Sequence, residues 1–309
     1  RCTWSDIGGR RVGHWRTRGW SAHFGGRFFG GVSRWHRVVC ERCQASTSQR
    51  KPQVGVLTGY GINCEEETKT AFEKVGGVGE IVHINDLIAN KKLLKRFQIL
   101  AIPGGFSYGD DTGSGNGFAN KLKNNLWEDL RHFIELDRLV IGICNGCQVL
   151  ANLGLFPAIE KKYGEKQVAI LHNDNATYTD RWVDLKAEGN SPWVKDIDTF
   201  SCPIAHGEGK FYAEDGTLEI INQKGLVALR YTKGEMCNYL SLPANPNGAV
   251  EDIAGITDET GRILGLMPHP ERAMFFTQLP NWPLIKEQLK RAGKELPKDG
   301  PGLQIFRNG

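Results

Sequence analysis

Arg138–Leu153, R-L-V-I-G-I-C-N-G-C-Q-V-L-A-N-L, is the stretch that most limits the folds open to this chain. Leu139–Ile143 is a short apolar run rich in β-branched residues, which suits a strand buried on both faces. Gln148–Leu153 then spaces Val149, Leu150 and Leu153 as a helix does. Gly142 and Gly146 supply the backbone freedom that a sharp strand-to-helix turn needs, and Cys144 stands at its corner. A thiol so placed meets the unpaired N–H groups and positive dipole end of the following helix, which favour thiolate. Corners of this kind lie at the carboxyl edge of a parallel sheet, where active sites of that architecture sit. Two other readings compete: an inert core cysteine, and a redox dithiol, because Cys144 and Cys147 form C-x-x-C. Leu139–Ile159 carries no charged residue, but Asn145, Gln148, Asn152 and Pro157 interrupt it too often for a membrane span.

The rest of the chain supplies neighbours for that strand. From Gln53 onward, apolar runs at Val54–Leu57, Glu80–Ile84 and Ile99–Ile102 alternate with helical spacing over Cys64–Val75, Leu87–Phe97 and Phe118–Leu136. Alternation of this kind predicts an α/β fold with a doubly wound, mostly parallel sheet. After Leu153 the pattern is patchier: strands are expected at Gln167–Leu171, Trp182–Leu185, Leu226–Tyr231 and Ile263–Met267, a closing helix at Trp282–Arg291, and a tail from Asp299.

Charge separates the chain into two parts, an extension at 1–52 and a main domain at 53–309. Arg1–Pro52 holds ten Arg and Lys51 against only Asp6 and Glu41, so the net +4 of the whole chain conceals an acidic main body. The main body is therefore not expected to bind nucleic acid. The extension is broken by glycine pairs, and its Trp4, Trp15, Trp20 and Trp35 follow no period, so it is expected to be disordered or non-native sequence. Its rival readings are a targeting peptide, a basic aromatic nucleic-acid arm, and a metal site on His36, Cys40 and Cys43 that lacks a second ligand pair. The chain opens on Arg1 rather than Met, which makes a fragment or processed product the expectation. Eight scattered cysteines form no disulfide framework, and no secretory apolar segment opens the chain; a reducing, cytoplasmic setting follows, or a plastid or mitochondrion if the extension is a transit peptide.

A cysteine nucleophile needs a base, an orienter for the base, and donors for an oxyanion. His269 is the candidate base, in P-H-P-E at the end of the Ile263–Met267 run, with Pro268 and Pro270 fixing the backbone on either side. Glu271, two residues on, faces the same way if the chain stays extended and can accept from the distal ring nitrogen. His206, with Glu208 at the same spacing, and His172 are rival bases; the proline brackets favour His269. Gly105, in P-G-G-F directly after the Ile99–Ile102 run, and the N–H of Asn145 are the candidate oxyanion donors. The glycines at Gly113–Gly117 lack the ending of a phosphate loop.

G-I-C-N-G-C-Q at Gly142–Gln148 and P-H-P-E at Pro268–Glu271 resemble the nucleophile and His/Glu motifs of class I, triad-type glutamine amidotransferases. P-G-G-F-S-Y-G-D at Pro103–Asp110, H-G-E-G at His206–Gly209 and P-A-N-P-N-G at Pro243–Gly248 are similar, more narrowly, to the glutaminases of de novo purine synthesis. The resemblance covers Gln53–Gly309 and implies a flavodoxin-like architecture. It implies L-glutamine hydrolysis through a γ-glutamyl thioester, with Cys144 as nucleophile, His269 as base and proton donor, and Glu271 as orienter. Gly105 and Asn145 would then bind the oxyanion and Gln148 would help hold glutamine. It further implies a partner synthetase carrying ATP and Mg²⁺, which turns formylglycinamide ribonucleotide into its amidine, with no metal or other cofactor in this chain. The stretch after Asp110, the length and the ending L-Q-I-F-R-N-G are closer to versions fused to their synthetase, so free subunit and fragment of a fused enzyme both stay open. A dithiol oxidoreductase, another class I amidotransferase and a non-catalytic subunit are the alternatives.

Overall fold

A computed structural model describes residues 3–7, 10–14 and 51–309. The chain divides into two units, Arg1–Ser48 and Gln49–Gly309. In the first, β1 (Thr3–Ile7) and β2 (Arg10–His14) pair antiparallel, Thr3 opposite His14. In the sequence only Gly8 and Gly9 stand between the two strands, a favoured hairpin spacing. Trp15, Trp20, Trp35, His36, Cys40 and Cys43, on which the targeting, nucleic-acid and metal readings of the extension draw, lie outside the described residues.

The second unit begins with β3 (Gln53–Thr58), α1 (Glu65–Lys74), β4 (Val78–His83) and α2 (Ile84–Ala89). It continues with β5 (Ile99–Ile102), α3 (Asn116–Glu135), β6 (Leu139–Ile143) and α4 (Asn145–Leu153). Then come β7 (Ala169–His172), β8 (Thr179–Ala187), β9 (Thr199–His206), β10 (Glu208–Tyr212), α5 (Asp215–Gln223), β11 (Val227–Thr232) and α6 (Glu235–Leu240). The chain closes through β12 (Ile253–Thr257), β13 (Ile263–Leu266), α7 (Trp282–Arg291) and α8 (Leu303–Asn308).

Nine of these strands form one sheet in the order β4-β3-β5-β6-β13-β12-β11-β8-β9, while β7 and β10 pair apart from it. The α/β fold holds, and the parallel sheet read from the sequence is the half from β4 to β13. From β13 to β9 every pairing is antiparallel. The reason lies in the connections: α3 is long enough to cross back over the sheet between β5 and β6, whereas β12 and β13 are joined by a short turn that can only reverse the chain.

Burial follows the same logic. Val140, Ile141 and Ile143 of β6 are fully buried, and α4 packs Val149, Leu150 and Leu153 behind them. On α3, Leu122, Leu126 and Leu130 repeat at helical spacing and are buried too. Beyond Asp299, where a plain tail is expected, α8 instead buries Leu303, Ile305 and Phe306, and the Phe306 ring meets Phe72 edge-on at 5.0 Å. Leu-x-Ile-Phe is too short for a helical period to show, so only the packing reveals it. Among the described residues, no helix is long and apolar enough to cross a membrane.

Candidate active site

Three neighbouring parallel strands end together. In register Ile102 pairs with Gly142 and Ile143 with Leu266, so the segments leaving β5, β6 and β13 emerge side by side. Those segments are Pro103–Phe106, Cys144 and Pro268–Arg272, and residues far apart in sequence are thereby brought to one edge of the sheet. The Cys144 N–H extends the ladder to Leu266 O at 2.8 Å, pinning the corner.

Cys144 has φ +50° and ψ −106°, a conformation costly for any residue with a side chain. Gly146 makes it possible: a Cβ there would lie 1.8 Å from Ile102 O. The Cys144 sulfur lies 3.6 Å from Ala205 O, at the end of β9, and Cys144 is only 5% exposed. A Cβ on Gly104 would lie 2.8 Å from His269 Cε1 and 3.5 Å from Cys144 Cβ, so the imidazole and the cysteine flank the same glycine.

His269 Nδ1 lies 2.6 Å from Glu271 Oε1, both residues being fully buried, and Nδ1–H donates. Glu271 thus meets the imidazole inside the protein and is not half of a surface ion pair with Arg272. Burial pulls the His269 pKa down, but the Glu271 carboxylate and the Cys144 sulfur outweigh it and hold the imidazolium well above the ordinary histidine range. Nε2 finds no aligned hydrogen-bond partner among the described residues, leaving that edge of the ring uncommitted.

The rival bases are otherwise engaged. His206 Nδ1 lies 3.1 Å from Asn173 Oδ1, and burial pushes its pKa down to about 3, a neutral structural histidine. His172 is exposed, 3.6 Å from Glu208. Cys147 is buried against the other side of the elbow, where it would meet a Cβ on Gly265 at 3.0 Å, and burial raises its thiol pKa well up. Cys144 and Cys147 are both free thiols rather than a disulfide.

The oxyanion candidates lie on two tied segments. Gly105 has φ +153°, and a Cβ there would lie 2.4 Å from Gly61 O, so this loop admits only glycine. Asn145 Oδ1 accepts from Ser107 N at 3.1 Å, and Asn145 Nδ2 donates to Asp110 Oδ1 at 3.2 Å, locking the loop to the elbow. The N–H groups of Gly105 and Asn145 find no acceptor among the described residues. Gln148 accepts from Asn145 Nδ2 at 2.8 Å and donates to Glu208 O at 2.6 Å, which leaves one N–H and one lone pair of its amide for a ligand.

Several neighbours escape sequence reasoning. Cys64, at the start of α1, receives Arg272 Nη2 at 2.9 Å, and its sulfur, a His269 nitrogen and a Glu271 oxygen lie within 4.8 Å of one another. No spacing links residues so far apart. Asn173 and Asn247 brace the H-G-E-G segment: Asn173 Nδ2 donates to His206 O at 2.8 Å, and Asn247 Nδ2 donates to Gly209 O at 2.8 Å. For Asn247 the signal was the asparagine-rich turn P-A-N-P-N-G, whose purpose is this brace. Phe106 and Tyr178, both exposed, tilt against each other at 6.1 Å, and the Tyr178 phenol feels the charges of Cys144, His269 and Arg272. A separate cleft of about 520 Å³, lined by residues including Asp184, Phe200, Met236 and Asn281, contains none of these groups.

Comparison with known proteins places the chain among glutamine amidotransferases. Residues 51–309 match the model of the CobB/CobQ-like glutamine amidotransferase domain. A Methanococcus maripaludis protein named phosphoribosylformylglycinamidine synthase subunit PurQ is 51% identical over 83% of this chain and 96% of its own length. The protein of that name from Dehalococcoides mccartyi is 42% identical over 82% of this chain and 94% of its own. Among solved structures, a chain of PurLQS from Thermotoga maritima superposes with a TM-score of 0.59 at 29% identity, covering 84% of this chain and 97% of that one. The chain belongs to the CobB/CobQ-like glutamine amidotransferase domain family.

Proposed function

We propose that this chain is the glutaminase component of a phosphoribosylformylglycinamidine synthase. The observation that carries the reading is the buried Glu271–His269 contact beside a cysteine held at a strand-to-helix corner. Cys144 sulfur attacks the side-chain carbonyl carbon of L-glutamine, and the N–H groups of Gly105 and Asn145 take the developing oxyanion. One such donor is worth about 3–4 kcal/mol of barrier. As the tetrahedral species collapses, His269 gives a proton to the departing nitrogen and ammonia leaves. A water molecule then attacks the γ-glutamyl thioester, giving its proton to His269, and glutamate departs with the thiol restored. Glu271 keeps the imidazole in the tautomer and orientation both half-reactions need. Gln148 and the Glu208 segment it holds contribute to the glutamine cradle.

Ammonia passes to a partner synthetase that converts formylglycinamide ribonucleotide to the amidine, and the activating chemistry of ATP and Mg²⁺ would be supplied there and not by this chain's residues; the setting is the cytoplasm. Cys144 and His269 are almost wholly enclosed, so glutamine has to displace part of the covering segments. Turnover by the isolated chain is therefore slow and rises when cognate synthetase and its nucleotide substrate are added. Glutamine hydrolysis measured with and without that synthetase tests the reading. Acceleration, and its loss in Cys144→Ala, is the expected result; a rate indifferent to the synthetase contradicts it.

A further inference from the structure

Asp110 stands behind the groups that would receive glutamine, and the glutaminase steps make no use of it. Its Oδ1 accepts from Gly115 N at 3.1 Å, where α3 begins, and from Asn145 Nδ2 at 3.2 Å, on the elbow. The other Asn145 side-chain N–H goes to Gln148 Oε1 at 2.8 Å, and Asn145 Oδ1 takes the Ser107 N–H at 3.1 Å. Both donors and the oxygen of the Asn145 amide are thus engaged. Turned over, that amide would set its oxygen against the Asp110 carboxylate and the Gln148 oxygen, and its N–H groups against the Ser107 N–H. Asp110 therefore admits one orientation of Asn145. That orientation makes Gln148 Oε1 an acceptor and sends Gln148 Nε2 to Glu208 O at 2.6 Å. Asn145 and Gln148 are both buried, so a mismatched amide in this relay would be costly.

The placement of Asp110 is otherwise unfavourable. It follows Tyr108 and Gly109 in a run of positive φ, at +56°, +72° and +55°. Burial raises its pKa in spite of the hydrogen bonds that it accepts. Anchoring the start of α3 needs only the contact with Gly115 and leaves the one with Asn145 unexplained. We propose that Asp110 is a positioning residue for glutamine: through Asn145 it holds the Gln148 amide with one N–H and one lone pair turned to the substrate. The inference rests on the proposed function and adds to it that the cradle is set from the loop after β5. Asp110 touches no reacting atom, and the Gly105 and Asn145 oxyanion donors belong to the backbone, so the chemical step at Cys144 proceeds without it.

Steady-state glutaminase kinetics of the full chain with its cognate synthetase test this in a cycle of Asp110→Ala, Gln148→Ala and the double variant. Asp110→Ala should raise KM for glutamine about tenfold while kcat stays within about threefold of the parent, and Gln148→Ala should raise KM at least as much. The double variant should be no worse than Gln148→Ala, because Asp110 acts through Gln148. Asp110→Asn should bring KM back to within about threefold of the parent, its amide oxygen accepting from Gly115 and Asn145 as the carboxylate does. An unmoved KM in Asp110→Ala, effects that multiply in the double variant, or an Asp110→Asn as damaging as Asp110→Ala overturns the proposal. Should Asp110→Ala fail to fold, as read by urea unfolding, Asp110→Ser, too short to meet both N–H groups, takes its place in the cycle. A parent chain without glutamine turnover overturns the proposed function and this inference with it, whereas parent turnover with any of those three results overturns the inference alone.

Discussion

His269 is placed under two opposing influences. Burial favours the neutral ring, while Glu271 and the Cys144 sulfur favour the charged one, and the charges win. Glu271→Gln removes the larger of these favourable charges and lets burial prevail, so the proton needed by the departing ammonia is lost. Glutamine turnover should then fall about 10²–10⁴-fold with the fold intact, measured as kcat beside an unfolding curve. A variant with near-normal kcat would contradict the role given to Glu271. Cys147→Ser separates the glutaminase from a dithiol enzyme: glutaminase activity persists, at a stability cost of about 1–3 kcal/mol for burying a hydroxyl in an apolar site. Equal damage from Cys147→Ser and Cys144→Ser would favour the dithiol instead. His206 supplies a pH signature. Its native pKa is pushed down to about 3, against an ordinary value of 6.5 in the unfolded chain. Between those values the unfolded state binds the extra proton, so the contribution is whole above pH 6.5 and is lost as pH falls toward 3. The effect is on the order of several kcal/mol. His206→Asn, which keeps a donor for Asn173, should flatten the pH dependence of urea unfolding in that window; an unchanged slope would contradict the assignment.

Strands and helices explain how much of this was legible in the chain. The elbow was legible because β6 is an unbroken apolar run and Gly146 is demanded by contact with Ile102 O. Gly146→Ala should therefore destabilise by more than about 3 kcal/mol or abolish soluble expression, seen in the denaturation midpoint. A fully stable Gly146→Ala would mean that the corner is not closed in this way. His269 and Glu271 were legible through their proline brackets and spacing. The antiparallel half was less so: β9 and β12 fall among turn-rich segments, and α5 and α6 are short helices whose burial comes from tertiary contact. Cys64 was illegible because its partners Arg272 and His269 come from the other end of the unit, and only the sheet order brings them together.

In the molecule as a whole, the candidate site residues all lie within 51–309, the residues matched by the family. The hairpin of β1 and β2 belongs to a separate unit. A chain beginning at Lys51 should keep the glutamine turnover and denaturation midpoint of the full chain, and loss of either would give the basic extension a part in the domain. What most directly tests the central claim is covalent labelling by a glutamine analogue bearing a γ-electrophile such as a diazoketone, mapped by peptide mass spectrometry. One equivalent on Cys144, blocked by glutamine and by replacement of His269, is the predicted result. Modification at Cys64 or Cys147 in its place, with Cys144 untouched, would contradict it.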